Sequence, residues 1–141
     1  MPVVNEGLNR YRDLMQGSGP QNAPADSLGF GTSNAADDPA DDRLGVGGSS
    51  YWKTAGDVTV TNGGDSTTSP WFQFAATFGT GEANDNLGEI GISAGGLNGT
   101  DPAGNDGTNL VKRTAIGPFT KSSVFEIEGR VRIDHLHETV A

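Results

Sequence analysis

The 141-residue chain contains no cysteine, only three lysines (Lys53, Lys112, Lys121) and two histidines, both among its last seven residues. Without cysteine there is no disulfide, no thiolate nucleophile and no zinc–thiolate site. With histidine confined to positions 135 and 137, a Ser–His–acid constellation has no well-placed base, and no nucleophile-elbow motif occurs, so catalysis is not expected. No stretch approaches the ~18 apolar residues of a membrane span, and the N-terminus lacks a charged leader followed by an apolar core. The expectation is a soluble chain that does not insert into a membrane and carries no secretory signal.

Large apolar residues are scarce as well. Leu, Ile, Val and Phe number 28 of 141 against a net charge of -9, close to the composition at which chains bury too little surface to fold. Adding the 22 glycines to the apolar count restores an ordinary globular fraction. The length suffices for one domain with its own core and not for two. A core this thin gains from burial against neighbouring subunits, and a chain this acidic gains from salt that screens its self-repulsion. Aspartate outnumbers glutamate twelve to six, and arginine outnumbers lysine six to three, a profile that resembles proteins of extreme halophiles. The same charge leaves no basic patch for phosphates and argues against a nucleic-acid partner.

What is present is a succession of short segments. Val4, Leu8, Tyr11 and Met15 recur at helical spacing, with Asn5 as N-cap, Glu6 in the first turn and Gly17 as the stop; this predicts one amphipathic helix within residues 1–17. Residues 18–48, rich in Gly, Pro, Ala and Asp, predict an extended acidic loop in which only Leu28-Gly-Phe-Gly-Thr32 reads as a brief strand. A β core follows over 49–135. Val58 and Val60 alternate with Thr59 and Thr61, and Tyr51 and Trp52 open the same strand. Trp71 to Phe78 puts Phe72, Phe74, Ala76 and Phe78 on one face. Glu89 to Ser93 and Leu110 to Ile116 are further strands, separated by an excursion rich in Gly, Asn and Asp. Val124 to Asp134 places Phe125, Ile127, Val131 and Ile133 inward. The class described is mainly β, an antiparallel β-sandwich of jelly-roll type or a small barrel, with one short N-terminal helix.

Candidate ligand sites are few. Asp37, Asp38, Asp41 and Asp42 gather carboxylates of the kind Ca²⁺ favours, without the Gly turn and terminal Glu of an EF-hand. Asp101, Asn105 and Asp106 set oxygen ligands among turn formers and make a second candidate for a structural cation. In both, solvated acidic turns are the preferred reading, and no cofactor is expected. His135 and His137, with Glu138 beside them, read as a bland tail in preference to a surface metal site. Asn98-Gly-Thr100 is a glycosylation sequon and no more than permissive. Lys112, Arg113, Lys121, Arg130 and Arg132 concentrate positive charge in the last third and suggest a two-sided molecule whose charge orients assembly. Ordinary cross-strand pairing of Glu126 and Glu128 with Arg130 and Arg132 is the plainer account. Tyr51, Trp52 and Trp71 are the aromatics that suit stacking on a ligand or filling an interface.

Three blocks in order carry a family likeness. The first runs from Gly7 to Gly17, then Leu28-Gly-Phe-Gly-Thr32 and, past the acidic spacer, Leu44. The second leads from Phe74 to Phe78 through Gly81-Glu-Ala-Asn84 to Leu87-Gly-Glu-Ile-Gly-Ile92. The third is Leu110-Val-Lys-Arg-Thr-Ala-Ile-Gly-Pro-Phe-Thr-Lys121 with the strand that ends near Ile133. Together they resemble small tailed-virus proteins that accompany tail, baseplate and fibre components; the second is similar to the Asn-Glu-x-Gly-Ile/Leu strand of tail-fibre and tail-collar proteins, with Gly88 where Asn is often seen. The resemblance implies a non-enzymatic virion subunit, assembled in the host cytoplasm, that forms a homo-oligomer and meets other virion proteins and possible host surface receptors. Its place as tail, baseplate, fibre, capsid decoration or turret stays open. The alternative is a receptor- or glycan-binding module on the same β scaffold, using Tyr51, Trp52 and Trp71.

Overall fold

The computed structural model describes residues 4–19, 24–64, 71–94 and 110–134. The first element is helix α1, Asn5–Gln16, ended by Gly17 in the left-handed conformation at φ 68, a stop that glycine adopts without steric cost. Asn5 is not the N-cap. Val4 holds that position without a side-chain cap, because the chain supplies partners from elsewhere: Val4 N–H donates to the Val111 carbonyl at 3.1 Å and Asn5 N–H to the Pro39 carbonyl at 2.8 Å. The apolar stripe of the helix is covered only in part: Val4 is buried and Tyr11 half-buried. Gly7, Arg10 and Asp13 are buried, whereas Leu8 and Met15 are 55% and 86% exposed.

Seven strands follow among the described residues: β1 Ser27–Gly31, β2 Ser50–Lys53, β3 Thr59–Gly63, β4 Trp71–Phe78, β5 Asn86–Ser93, β6 Leu110–Thr120 and β7 Ile127–Asp134. They form two antiparallel sheets, ordered β2-β1-β5-β6 and β3-β4-β7. The result is a β-sandwich with no closed barrel. Consecutive strands pair at β1–β2, β3–β4 and β5–β6, and longer connections bring β1 beside β5 and β4 beside β7. The brief strand expected at Leu28 to Thr32 is β1, and because it is a central strand of the four-stranded sheet the β core starts at Ser27, ahead of the residue 49 expected. Tyr51 and Trp52 belong to β2 in that sheet; a short 3₁₀ turn, Ala55–Asp57, separates them from β3 in the other.

The main core lies between the sheets. Leu28 and Phe30 of β1 and Ile90 and Ile92 of β5 meet Phe74, Ala76 and Phe78 of β4 and Val131 and Ile133 of β7, each set at the period of two that a half-buried strand requires. Phe30 packs edge-on to Phe78 with ring centroids 5.2 Å apart. Phe125, expected to point inward, lies before β7 begins and is exposed. A second cluster, Val4, Leu44 and Leu110 with Trp52 against it, covers the other face of the four-stranded sheet. That face is narrow because Gly29, Gly31 and Gly91 alternate with the core residues of β1 and β5. A Cβ at Gly91 would stand 2.8 Å from the Lys112 carbonyl oxygen and 3.1 Å from a Leu44 methyl. The missing side chains let the segment between β1 and β2 lie directly on the sheet.

Candidate functional site

The segment on that glycine face is the acidic loop, and a buried ion pair fastens it. Glu89 on β5 and Arg113 on β6 are diagonal neighbours, since Gly91 stands opposite Arg113 and Glu89 opposite Ala115. Their side chains are 0% and 2% exposed. Arg113 Nε donates to Glu89 Oε1 at 2.7 Å. The other carboxylate oxygen, Oε2, accepts from the backbone N–H of Ser33 at 3.0 Å and of Gly45 at 2.7 Å. The rest of the guanidinium donates to the carbonyls of Ala35 and Ala36, at 2.9 and 3.3 Å, and to Asp41 Oδ2 at 3.1 Å. Two ions withdrawn from water are tolerable only when their remaining donors and acceptors are met, and here the loop backbone meets them. Burial pushes the guanidinium's pKa down, but Glu89 and Asp41 more than offset this and hold it above its ordinary value.

This places the acidic run. Asp41 binds Arg113, and Asp37 lies 3.6 Å from the same guanidinium nitrogen while accepting the backbone N–H of Ala115 at 2.6 Å. Asp38 accepts the N–H of Ala40 at 2.8 Å and Asp42 pairs with Arg43 at 3.0 Å. The four carboxylates therefore serve an arginine and local turns instead of converging on a point, and among the described residues no group of three or more His, Asp or Glu is arranged to hold a metal ion. Asp101, Asn105, Asp106, the Asn98 sequon, His135, His137 and Glu138 lie outside the described residues.

A second anchor uses Lys121, 1% exposed. Its Nζ donates to the Gly79 carbonyl and to Asn84 Oδ1, both at 2.8 Å, holding the turn between β4 and β5. From the other side Tyr51 Oη donates to Asp85 Oδ2 at 2.8 Å; that bond to a carboxylate, with some desolvation, raises the Tyr51 pKa above its usual 10.0. Lys53 pairs with Glu82 of the same turn. Tyr51, Trp52, Phe78, Glu82 and Asn84 line a cleft of about 540 Å³. Trp71 is elsewhere: it starts β4, seven residues or ~23 Å of strand from Phe78, under the Arg132 guanidinium at 4.4 Å. The three aromatics thus split into a pair and a singleton.

The basic residues of the last third do not make a positive face. Lys112, Arg113 and Lys121 are buried, and on β7 Arg130 pairs with Glu128 and Arg132 with Asp134 along the same strand, not across strands. Lys112 Nζ donates to the Arg132 carbonyl at 3.2 Å; desolvation lowers its pKa from 10.5, and Asp134 opposes this in part. No helix among the described residues is long and apolar enough to cross a membrane.

Sequence reasoning missed one feature altogether. Where the sandwich opens beside β3, helix α1 and the inner face of β3 and β4 enclose an apolar groove of about 370 Å³, lined among others by Tyr11, Leu14, Val60, Phe72 and Ile133. Of the helix stripe only Tyr11 reaches this groove, so the spacing of apolar residues gave little signal of it. Compared with protein-family models, with curated proteins and with solved structures, the chain gives no match in any of the three.

Proposed function

We propose that this chain is a structural subunit of a tailed-virus particle, a β-sandwich that self-assembles and contributes to virion architecture as a tail, baseplate, fibre, decoration or turret component. The observation that carries the reading is the position of the residues on which the family likeness rests. The glycine strand of the first block, Glu89 of the second and Arg113 of the third come together on the adjacent strands β1, β5 and β6, where the ion pair clamps the long loop. Lys121 of the third block clamps the next loop in the same way. Buried charges whose hydrogen bonds go to loop backbone fix the shape of a surface, which is the task of a subunit that must meet neighbours in one geometry. The experiment is quantitative mass spectrometry of purified particles, counting this chain against the major capsid and tail-tube proteins. A capsid-scaled copy number assigns a decoration or turret, and a small ring-like number a baseplate or fibre; absence from the particle overturns the reading.

A second reading, a receptor- or glycan-binding module, is favoured by the cleft beside Tyr51 and Trp52, where two aromatics stand with the polar groups of Glu82 and Asn84. Loss of binding to host-surface glycans in a Trp52→Ala variant that still folds supports it; glycan arrays blank for the native chain dispose of it.

A further inference from the structure

We infer that β3 is the surface through which two copies of this chain join, by antiparallel pairing of β3 with β3 of a second copy about a two-fold axis at Val60. The inference rests on the reading of an assembling subunit and supplies its contact surface.

Exposed strand edges invite pairing with other chains, and proteins blunt them with charge, proline or bulges. Three of the four sheet edges here are blunted. β2 is four residues long and ends in Lys53, β6 carries Lys112, Arg113, Pro118 and register shifts, and β7 carries Glu128, Arg130, Arg132 and Asp134. β3 reads Thr59-Val-Thr-Asn-Gly63, without charge or proline, exposed over four of its five residues, and among the described residues no strand pairs with its outer side.

The occupant follows from charge and from the strand's own sequence. Each copy carries a net charge of -9, so two copies repel wherever acids face each other. The groove beside β3 is lined without a single acid, and β3 itself has none, so two copies meeting here bring few acids face to face. A basic partner gains nothing at the same place. With the axis at Val60, Thr59 of one copy stands opposite Thr61 of the other, Val60 opposite Val60 and Asp57 opposite Gly63. Every pair is then uncharged or singly charged, and threonine pairs suit a β ladder. An axis perpendicular to the sheet also sets both grooves on the same side of a continuous six-stranded sheet, where each Val60, 52% exposed in the single chain, becomes buried beside Phe72 and Leu14.

The test is the molar mass of the full chain in multimolar salt by light scattering or sedimentation, over rising concentration. The expected result is a dimer of twice 14.5 kDa that Val60→Lys weakens by about a hundredfold through like charges on the axis. Val124→Lys, at a residue 84% exposed and far along the chain from β3, leaves the dimer intact. Hydrogen exchange of the native chain gives an answer independent of whether Val60→Lys folds: alternate β3 amides gain protection as concentration rises. A native chain that stays at 14.5 kDa up to millimolar concentration, a dimer indifferent to Val60→Lys, or β3 amides unprotected at all concentrations overturns the inference. A monomer that is nevertheless found in particles sinks this interface and leaves the virion reading standing; a dimer absent from particles does the reverse.

Discussion

Replacing Arg113 with alanine removes the cation that lies between Glu89, Asp41 and the carbonyls of Ala35 and Ala36. What remains is a fully buried carboxylate with two backbone donors, Ser33 and Gly45, and no counter-charge, together with two carbonyls stripped of their donors. Breaking a buried pair by deleting one partner costs about 3–5 kcal/mol, against a total of roughly 5–15 kcal/mol for a domain. At about 3 °C per kcal/mol for this length, the melting temperature falls by roughly 10–15 °C. Arg113→Ala combined with Glu89→Gln is expected to lose less than the sum of the single changes, because the second removes the stranded charge. Glu89→Gln alone is also costly: its amide NH₂ must face either Arg113 or the Ser33 and Gly45 N–H groups, all donors. Circular dichroism melts give the stability, and limited proteolysis at 33–45 gives the site of loosening. Because the pair is sealed from solvent, multimolar salt does not rescue Arg113→Ala as it would a surface pair. A drop of under about 2 °C, or a loop no more cleavable than in the native chain, refutes the clamp.

Three further outcomes follow from the same structure. Gly91→Ala drives a methyl to 2.8 Å from the Lys112 carbonyl and onto Leu44, at a cost of about 1–3 kcal/mol; an unchanged denaturation midpoint would show that the loop does not lie on the glycine face. Lys112→Met stabilises the chain near pH 7 by removing a desolvated ammonium. The Lys112 pKa is lower in the folded chain than the 10.5 of the unfolded one, so between the two values the unfolded chain binds more protons and native stability rises with pH; the advantage of Lys112→Met, followed by melting from about pH 7 to 11, shrinks across that window, and a flat difference counts against the assignment. Native stability itself rises from low to multimolar salt, as the charge of -9 requires, and a constant melting temperature ends the halophile reading.

Period-two patterns survive into the structure where one face of a strand meets the core and the other meets water. Phe72 to Phe78 and Ile127 to Ile133 were legible for that reason. The helix was legible in extent but its orientation was not: of the apolar stripe Val4 is buried while Leu8 and Met15 are exposed, and spacing alone does not say which part meets the chain's own core. The clamp was out of reach because its partners are distant in sequence, Asp41 and Arg113 being 72 residues apart, and because a run of aspartates looks alike whether it surrounds Ca²⁺, water or a guanidinium. One local signal did point to it. Leu28-Gly-Phe-Gly31 alternates large residues with glycine instead of with polar residues, and Ile90-Gly-Ile92 continues the pattern, which describes a strand with something pressed close against its back, not one facing solvent.

The placement of positive charge decides what the exterior can attract. Arg12, Arg43, Lys53, Arg113, Arg130 and Arg132 form ion pairs within the fold, and Lys112 and Lys121 direct their ammonium groups at backbone carbonyls. With these cations so committed, the surplus acids set the outer field, and β3 itself contributes no acid to it. Salt therefore acts in one direction on both processes: it relieves repulsion within a copy, raising stability, and between copies, strengthening association. Docking of a basic partner on the acidic exterior has the opposite sign, weakening as salt rises. Binding measured at two ionic strengths thus separates self-assembly from capture of a cationic partner.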